Sequence, residues 1–276
     1  MQAVNEALVE DTEIRLLLDG IVNCYGFDFR DYATEPLKRC IWERVHAEGA
    51  QTISGYQEKI LHEPACMEQL LRALHSDNIG MFQDPVLWRE FRAIVVPLLR
   101  TYPSIQLWVP GCSGGEEAYA LAILLHEEGL LPRSRIYATD LSAVILRNAR
   151  EGIYPLSRMY EYAEQYAEAG GTWAFTSYYT VDQQHAIMAP FLKEHIVFAE
   201  HNLATDGPFN EFQAILCRHA LAAFNEWLQE RVHGLFLQSL SRFGILALGP
   251  HESQKVLSGA PRYAVLPGGT LYRKEN

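Results

Sequence analysis

The sequence predicts an α/β protein: a helical N-terminal part, then a mostly parallel sheet covered by helices on both faces, with a small subdomain inserted beside it. Three observations predict it. From about residue 11 to 75 the apolar residues recur in short amphipathic runs broken by Gly26, Gly49 and Gly55. From residue 105 onward, strand-like and helix-like runs alternate. Between about residues 155 and 194 that alternation lapses. With 276 residues the chain suits one large or two smaller domains, and its 49% hydrophobic content is ample for a buried core.

Taken in order, the first helices are marked by Leu16-Leu17-Leu18, Leu37 with Ile41, Ile60-Leu61 and Leu70-Leu71. The segment Phe27-Asp28-Phe29-Arg30-Asp31-Tyr32 leads into a helix around Pro36 to Arg44, expected to expose Lys38, Arg39 and Arg44. Such a basic face suits an acidic partner or plain solvation. Residues 1–90 are read as this helical domain and a linker containing Asp84-Pro85, and residues 91–276 as the sheet domain. Strands are expected near 105–109, 136–139, 195–199, 213–217 and 243–248. The insertion holds Gly170-Gly171 and an aromatic run, Trp173 to Tyr179, which reads as a strand.

The densest signal lies between residues 105 and 140. The strand Ile105-Gln106-Leu107-Trp108-Val109 runs into the loop Pro110-Gly111-Cys112-Ser113-Gly114-Gly115 and then into a helix from Glu116 to Leu125. The next strand, Ile136-Tyr137-Ala138-Thr139, ends on Asp140. A glycine turn lets a nucleoside lie against bare backbone, and an acid at the tip of the next strand can accept hydrogen bonds from ribose hydroxyls. A dinucleotide would place its pyrophosphate at the helix N-terminus, where Glu116 and Glu117 stand instead. Counted from Gly111, the third and sixth positions of G-x-G-x-x-G are Ser113 and Glu116, so that fingerprint fails twice. S-adenosylmethionine fits better: it carries a ribose, an ammonium and a sulfonium, but no phosphate. The alternative for Glu116 and Glu117 is a simple helix cap.

Composition narrows the classes. No apolar run approaches the roughly 20 residues of a membrane helix, and the start of the chain lacks a basic, then apolar, signal pattern. A cytoplasmic protein without membrane insertion is expected. The cysteines at 24, 40, 66, 112 and 217 include no C-x-x-C pair and the histidines no H-x-x-x-H pair, so no metal site is expected. A formal net charge of -11 with no basic stripe argues against nucleic acid as a partner.

The residues then resemble those of the CheR-type S-adenosylmethionine-dependent methyltransferases, which methylate glutamate side chains of chemoreceptors. The resemblance rests on Phe27 to Tyr32 with Leu37-Lys38-Arg39, on Met81-Phe82-Gln83-Asp84-Pro85, and on Gly111 to Glu117. It continues through Ala138-Thr139-Asp140, Gly152-Ile153-Tyr154, His201-Asn202-Leu203, Ile215 to Arg218, Gly249 to Ser253 and Leu271 to Lys274. It implies a class I methyltransferase (Rossmann-like) sheet with an N-terminal all-helical domain and a small inserted β-subdomain. S-adenosylmethionine is then the implied cofactor. It would contact Gly111, Ser113, Glu116 or Glu117, Asp140, Asn202, Leu203, His219 and Ala220.

Two family motifs are altered. Where the family writes T-x-M-F-R-D-P, with threonine and arginine facing cofactor and acceptor, this chain has Ile79 and Gln83. The family's C-R-N-V-L-I-Y-F reads here Cys217-Arg218-His219-Ala220-Leu221-Ala222-Ala223-Phe224, replacing an asparagine by His219 and a pocket tyrosine by Ala223. Glutamine offers a neutral amide where arginine offers a permanent cationic fork. An acceptor pocket rebuilt at Ile79, Gln83 and Ala223 is expected, with Gln83 and His219 as the candidate catalytic positions. His219 suits a general base for an amine or hydroxyl acceptor, or a structural histidine bonded to backbone. Three functions stay open: methyl transfer to an acidic protein segment or another acceptor; a biosynthetic reaction on a small molecule, or a non-methyl sulfonium reaction releasing methylthioadenosine; and non-catalytic binding of S-adenosylmethionine or S-adenosylhomocysteine.

Overall fold

The computed structural model describes residues 5–74, 80–249, 252 and 263–275. The chain divides into two compact units, Met1–Ser76 with Ala222–Val232, and Asp77–Leu221 with His233–Asn276.

The first unit is helical, with α1 (Glu6–Tyr25), α2 (Thr34–Ala47), α3 (Ile53–His62) and α4 (Pro64–Leu74). Helix α1 buries Ile14, Leu17, Leu18 and Ile21, and α2 buries Leu37, Cys40, Ile41 and Val45, each set forming one helical stripe. Helix α1 stops at Gly26, whose φ of 78° admits a left-handed C-cap bonded back to Val22. The Thr52 hydroxyl caps α3 by accepting from the Gly55 N–H at 3.0 Å. The basic face expected on α2 is largely neutralised. Lys38 pairs with Asp11 (2.6 Å) and Glu10 (3.5 Å), and Arg44 is half-buried against Glu48 and Gln69, leaving Arg39 exposed.

The second unit opens with α5 (Pro85–Glu90), a π-helical turn at Phe91–Val95 and α6 (Val96–Leu99). Pro97 accounts for the widened turn, because it has no N–H and its ring would clash with the carbonyl of Ala93 in a regular helix. The chain then continues as β1 (Ile105–Pro110), α7 (Glu116–Glu127), β2 (Ser134–Asp140) and α8 (Ala143–Glu151). The inserted region follows: β3 (Ile153–Pro155), α9 (Leu156–Glu168), β4 (Tyr179–Asp182), β5 (His185–Met188) and α10 (Pro190–Lys193). Last come β6 (Ile196–Glu200), β7 (Phe212–Cys217), α11 (Glu226–Ser239), β8 (Leu240–Leu248), β9 (Tyr263–Val265) and β10 (Leu271–Lys274).

The large sheet has the order β6-β2-β1-β7-β8-β10-β9. Its first five strands are parallel, and β10 is antiparallel to both β8 and β9. This is a Rossmann-like sheet. The chain order runs outward from β1 to β2 and β6 on one side and from β7 to β8 on the other, so the topological switch lies between β1 and β7. Crevices outside the carboxyl ends of strands at such a point are where open α/β sheets bind ligands. Helix α7 is buried on all sides from Glu116 to Leu125, as its nearly continuous apolar sequence requires. In β1, Trp108 stacks on Phe212 at 5.3 Å between centroids and donates from Nε1 to the Thr139 hydroxyl at 2.8 Å.

The insertion is a three-stranded antiparallel sheet, β3-β5-β4, with α9 beside it. The aromatic run read as a strand does not form one until Tyr179. Phe175–Tyr178 is a 3₁₀ turn instead, which sends Phe175 and Tyr178 inward against Tyr166. The hydroxyls of Tyr166 and Tyr178 and the N–H of Thr172 converge on Glu127 at the end of α7. Three buried rings and a shared carboxylate outweigh the alternation of the sequence here. No helix among the described residues is long and apolar enough to cross a membrane.

Candidate active site

The loop after β1 is shaped by its backbone. Gly111, Ser113 and Gly115 have φ of 65°, 47° and 86°, all left-handed. Such a conformation is unusual for serine and persists where surrounding bonds over-determine it. Here the Ser113 N–H donates to Asp140 Oδ2 at 3.1 Å, while Asp140 Oδ1 accepts from the Ser142 N–H at 3.2 Å. The Cys112 N–H donates to the Thr139 carbonyl at 2.9 Å, and the Tyr154 hydroxyl to the Gly114 carbonyl at 2.8 Å. Asp140 is buried and so joins the tip of β2 to the glycine loop. A Cβ on Gly111 would come within 2.9 Å of the Ala220 Cβ, so the loops after β1 and β7 touch across the switch point.

Two acids flank this loop, Asp140 on one side and Glu116 on the other. A Cβ on Gly114 would lie 2.6 Å from Glu116 Oε2, so that carboxylate rests against the loop backbone. Arg158 of α9 stands 3.7 Å from Glu116 Oε1. The set suits a nucleoside with a diol and an ammonium: carboxylates for both, a side-chain-free cradle between them, and no phosphate-binding geometry. Burial, with Asp140 and Glu116 nearby, pushes the Cys112 thiol well above its ordinary range, so it stays protonated and is no nucleophile.

Glu117 faces elsewhere. Its Oε1 lies 2.9 Å from Arg218 Nη1, and the Arg218 side chain is wholly buried. Arg218 also donates to the Gln83 carbonyl at 2.9 Å and pairs with Asp84. One guanidinium thus ties α7, the turn before α5 and the end of β7 together. Burial pushes the Glu117 carboxyl up to about 7, against the pull of Arg218. A second tie comes from Glu252, whose carboxylate accepts the N–H groups of Leu221 (2.9 Å) and Gly249 (3.1 Å).

Gln83 is turned inward: its Oε1 accepts the Gly80 N–H at 3.2 Å, and its carbonyl also accepts from Trp88 Nε1 at 3.0 Å. Phe82 and Asp84 have φ of 57° and 53°, so the turn around it is a strained one held by Arg218. Asn202 follows β6, and its Oδ1 accepts the Ala204 N–H at 2.9 Å, which leaves its NH₂ to address a ligand. Leu203 beside it is buried. His219 follows Arg218 with a φ of 68°, and Ala220 is the residue against Gly111. Ala223 groups with the helical unit, where its carbonyl accepts the Ala33 N–H at 2.8 Å. Ile79 lies outside the described residues. Sequence reasoning overlooked Arg218, Glu252, Tyr154 and Arg158 as residues that bound or brace this loop. The first three stood inside quoted motifs, but only their long-range partners reveal what they do.

A Rossmann-like sheet with a glycine loop and two acids at its switch point, beside an inserted β-subdomain, defines a class of S-adenosylmethionine-dependent transferase. The comparisons with known proteins agree. The CheR methyltransferase SAM-binding domain matches residues 78–262, and the CheR methyltransferase all-alpha domain matches residues 12–75. A Pseudomonas putida protein, Cher3, is 45% identical over 93% of this chain and 94% of its own length. Chemotaxis protein methyltransferases of Listeria monocytogenes (25% identical, 82% of this chain, 84% of theirs) and Escherichia coli (27% identical, 99% and 94%) are more distant relatives. The chain belongs to the CheR methyltransferase family. It is an S-adenosylmethionine-dependent methyltransferase, with S-adenosylhomocysteine as the product of the cofactor.

Proposed function

We propose that this methyltransferase holds S-adenosylmethionine at the β1–β7 switch point and takes an acceptor that is not gripped through position 83. The observation that carries the proposal is the turn at Gln83. Its side-chain oxygen is occupied by the Gly80 N–H, and its carbonyl by Arg218 and Trp88. The cation expected there by family resemblance is replaced by an amide that already serves the fold.

Asp140 would accept the ribose hydroxyls and Glu116 the ammonium, with Gly111, Ser113, Asn202, Leu203, His219 and Ala220 completing the cradle. When bound, the cofactor supplies a sulfonium methyl open to in-line displacement. The chain's task is alignment and exclusion of water, the two contributions available when no proton needs to move. Glu117 acts at one remove, by fixing Arg218 and through it the Gln83 turn. The charge of the site favours the cation before transfer over the neutral thioether after it, which helps release the product.

The test is incubation of purified protein with S-adenosylmethionine, alone and with glutamate-bearing peptides or small acids, followed by mass analysis. S-adenosylhomocysteine formed only in the presence of an acceptor is the expected result. Methylthioadenosine, or tight binding without turnover on any acceptor, overturns the proposal.

A further inference from the structure

Strand β3 of the insertion delivers one side chain onto the glycine loop. Helix α8 ends at Gly152, whose φ of 59° makes a left-handed cap bonded back to the Asn148 carbonyl at 3.1 Å, and a Cβ there would collide with the Tyr119 hydroxyl. The chain therefore turns at a fixed residue and enters β3 with Tyr154 two positions on, paired with Ala186 of β5. The Tyr154 ring is buried, edge-on to Tyr119 and Tyr162 at 6.1 and 6.2 Å between centroids. From this socket its hydroxyl donates to the Gly114 carbonyl at 2.8 Å. Burial, with Glu116 nearby, holds the phenol well above its ordinary range, so it stays a donor at any working pH.

The bond falls where the loop has least conformational preference of its own. Gly114 and Gly115 flank one peptide plane, and neither has a Cβ to choose among its orientations. Both positions favour glycine: a Cβ on Gly114 would crowd the Glu116 carboxylate, and Gly115 has a φ of 86°. The plane is fixed instead at its two ends, the carbonyl by Tyr154 and the N–H by its bond to the Cys112 carbonyl at 2.8 Å. A trans peptide points those two groups in opposite directions, so partners on opposite sides set its rotation. Helix α7 starts immediately after this plane, with Glu116 as its first residue. The orientation of the plane thus sets both the backbone on which a nucleoside would lie and the carboxylate beside it.

We propose that Tyr154 is a positioning residue for S-adenosylmethionine, its hydroxyl holding the Gly114–Gly115 peptide plane in the one orientation that receives the cofactor. The inference rests on the cofactor site proposed above and adds to it a residue that acts through the loop, without touching the ligand. Without the hydroxyl the plane is held at one end only, and the free protein divides its time between the binding orientation and others. Apparent affinity then falls by the fraction of molecules in the binding orientation, while the complex, once formed, has the wild-type geometry. The effect therefore appears in cofactor binding and KM and spares kcat. The insertion is on this account part of the cofactor site, although its strands form a separate sheet.

The test is calorimetric titration of S-adenosylhomocysteine into the full chain and three variants of it. Tyr154→Phe keeps the buried ring and loses the donor, and its affinity is expected to fall about tenfold, equivalent to about 1.4 kcal/mol. Para-aminophenylalanine at position 154 restores a donor at the same place on the ring and should bring affinity back to within about threefold of wild type. The control is Tyr119→Phe, which deletes a buried hydroxyl from the same aromatic cluster, but one that serves the Ala149 carbonyl at 3.0 Å and not the loop. Its affinity should stay within about twofold of wild type, which a general softening of the cluster would not allow. Tyr154→Phe binding as tightly as wild type, no recovery with para-aminophenylalanine, or an equal loss in Tyr119→Phe overturns the inference alone. A wild-type protein that takes up no S-adenosylhomocysteine overturns both this inference and the site beneath it.

Discussion

The two sides of the glycine loop are built on different terms. On the Asp140 side, shape comes from backbone: left-handed residues, N–H groups bonded to one buried carboxylate, and glycines with no room for a Cβ. On the α9 side, it comes from side chains, Gln83, Arg158 and Tyr162, one of which keeps a buried hydroxyl unpaired. Backbone devices tolerate little substitution, whereas side chains on a finished scaffold can be exchanged at modest cost to the fold. The difference teaches why the loop resembles the family closely while the facing turn departs from it.

The largest expected effect tests whether Arg218 joins the two sides. Arg218→Met leaves Glu117 buried without its cation and should cost about 3–5 kcal/mol at pH 8 in denaturant unfolding. The loss should be smaller at pH 5, where Glu117 takes up a proton. Equal losses at both pH values would separate Glu117 from Arg218. On the shared side alone, Asp140→Ala removes the acceptor for two loop N–H groups and should lower S-adenosylhomocysteine affinity roughly 100-fold, about 3 kcal/mol, by calorimetry.

Next in size is a pH effect. The folded Glu117 carboxyl is raised to about 7 from an ordinary value near 4.5, so the folded state holds the proton more tightly than the unfolded one across that interval. Its contribution to stability is full below about pH 4.5 and is lost as pH rises to about 7. Glu117→Gln should flatten that part of a stability–pH profile, and an unchanged slope would refute the assignment. Gly111→Ala places a Cβ 2.9 Å from Ala220 at a φ of 65°, and should cost about 1–2 kcal/mol in thermal unfolding. The smallest effect sharpens the contrast from the rebuilt side: Gln83→Arg should raise turnover of glutamate-bearing peptides a few-fold and leave S-adenosylhomocysteine affinity within about twofold. A loss of cofactor affinity as large as that of Asp140→Ala would erase the distinction.

Much of the architecture was legible in the chain. Apolar stripes in α1 and α2, the continuous apolar run of α7 and the strand–glycine–helix pattern at 105–125 depend on near neighbours, and each forms as its spacing predicts. The basic face of α2 misled because its partners Glu10 and Asp11 belong to another helix. The run at 173–179 misled because Tyr166 and Glu127 draw its rings inward. Among the site residues, the glycines and Asp140 carried their own signal in position. Arg158 carried none: a polar residue on a helix reads as solvated until Glu116 is seen beside it.

What the sequence determined by itself is everything that depends on backbone conformation and short-range period: which segments are helices, where the loop must hold glycine, and which acid ends β2. What only the tertiary structure decided is who meets whom across long separations. Arg218 meets Gln83 across 135 positions, and α9 comes to lie along the Gly80 turn. The physical reason is that local geometry is set by sterics within a few residues, while charge pairing and desolvation depend on distances that exist only once the chain has closed on itself.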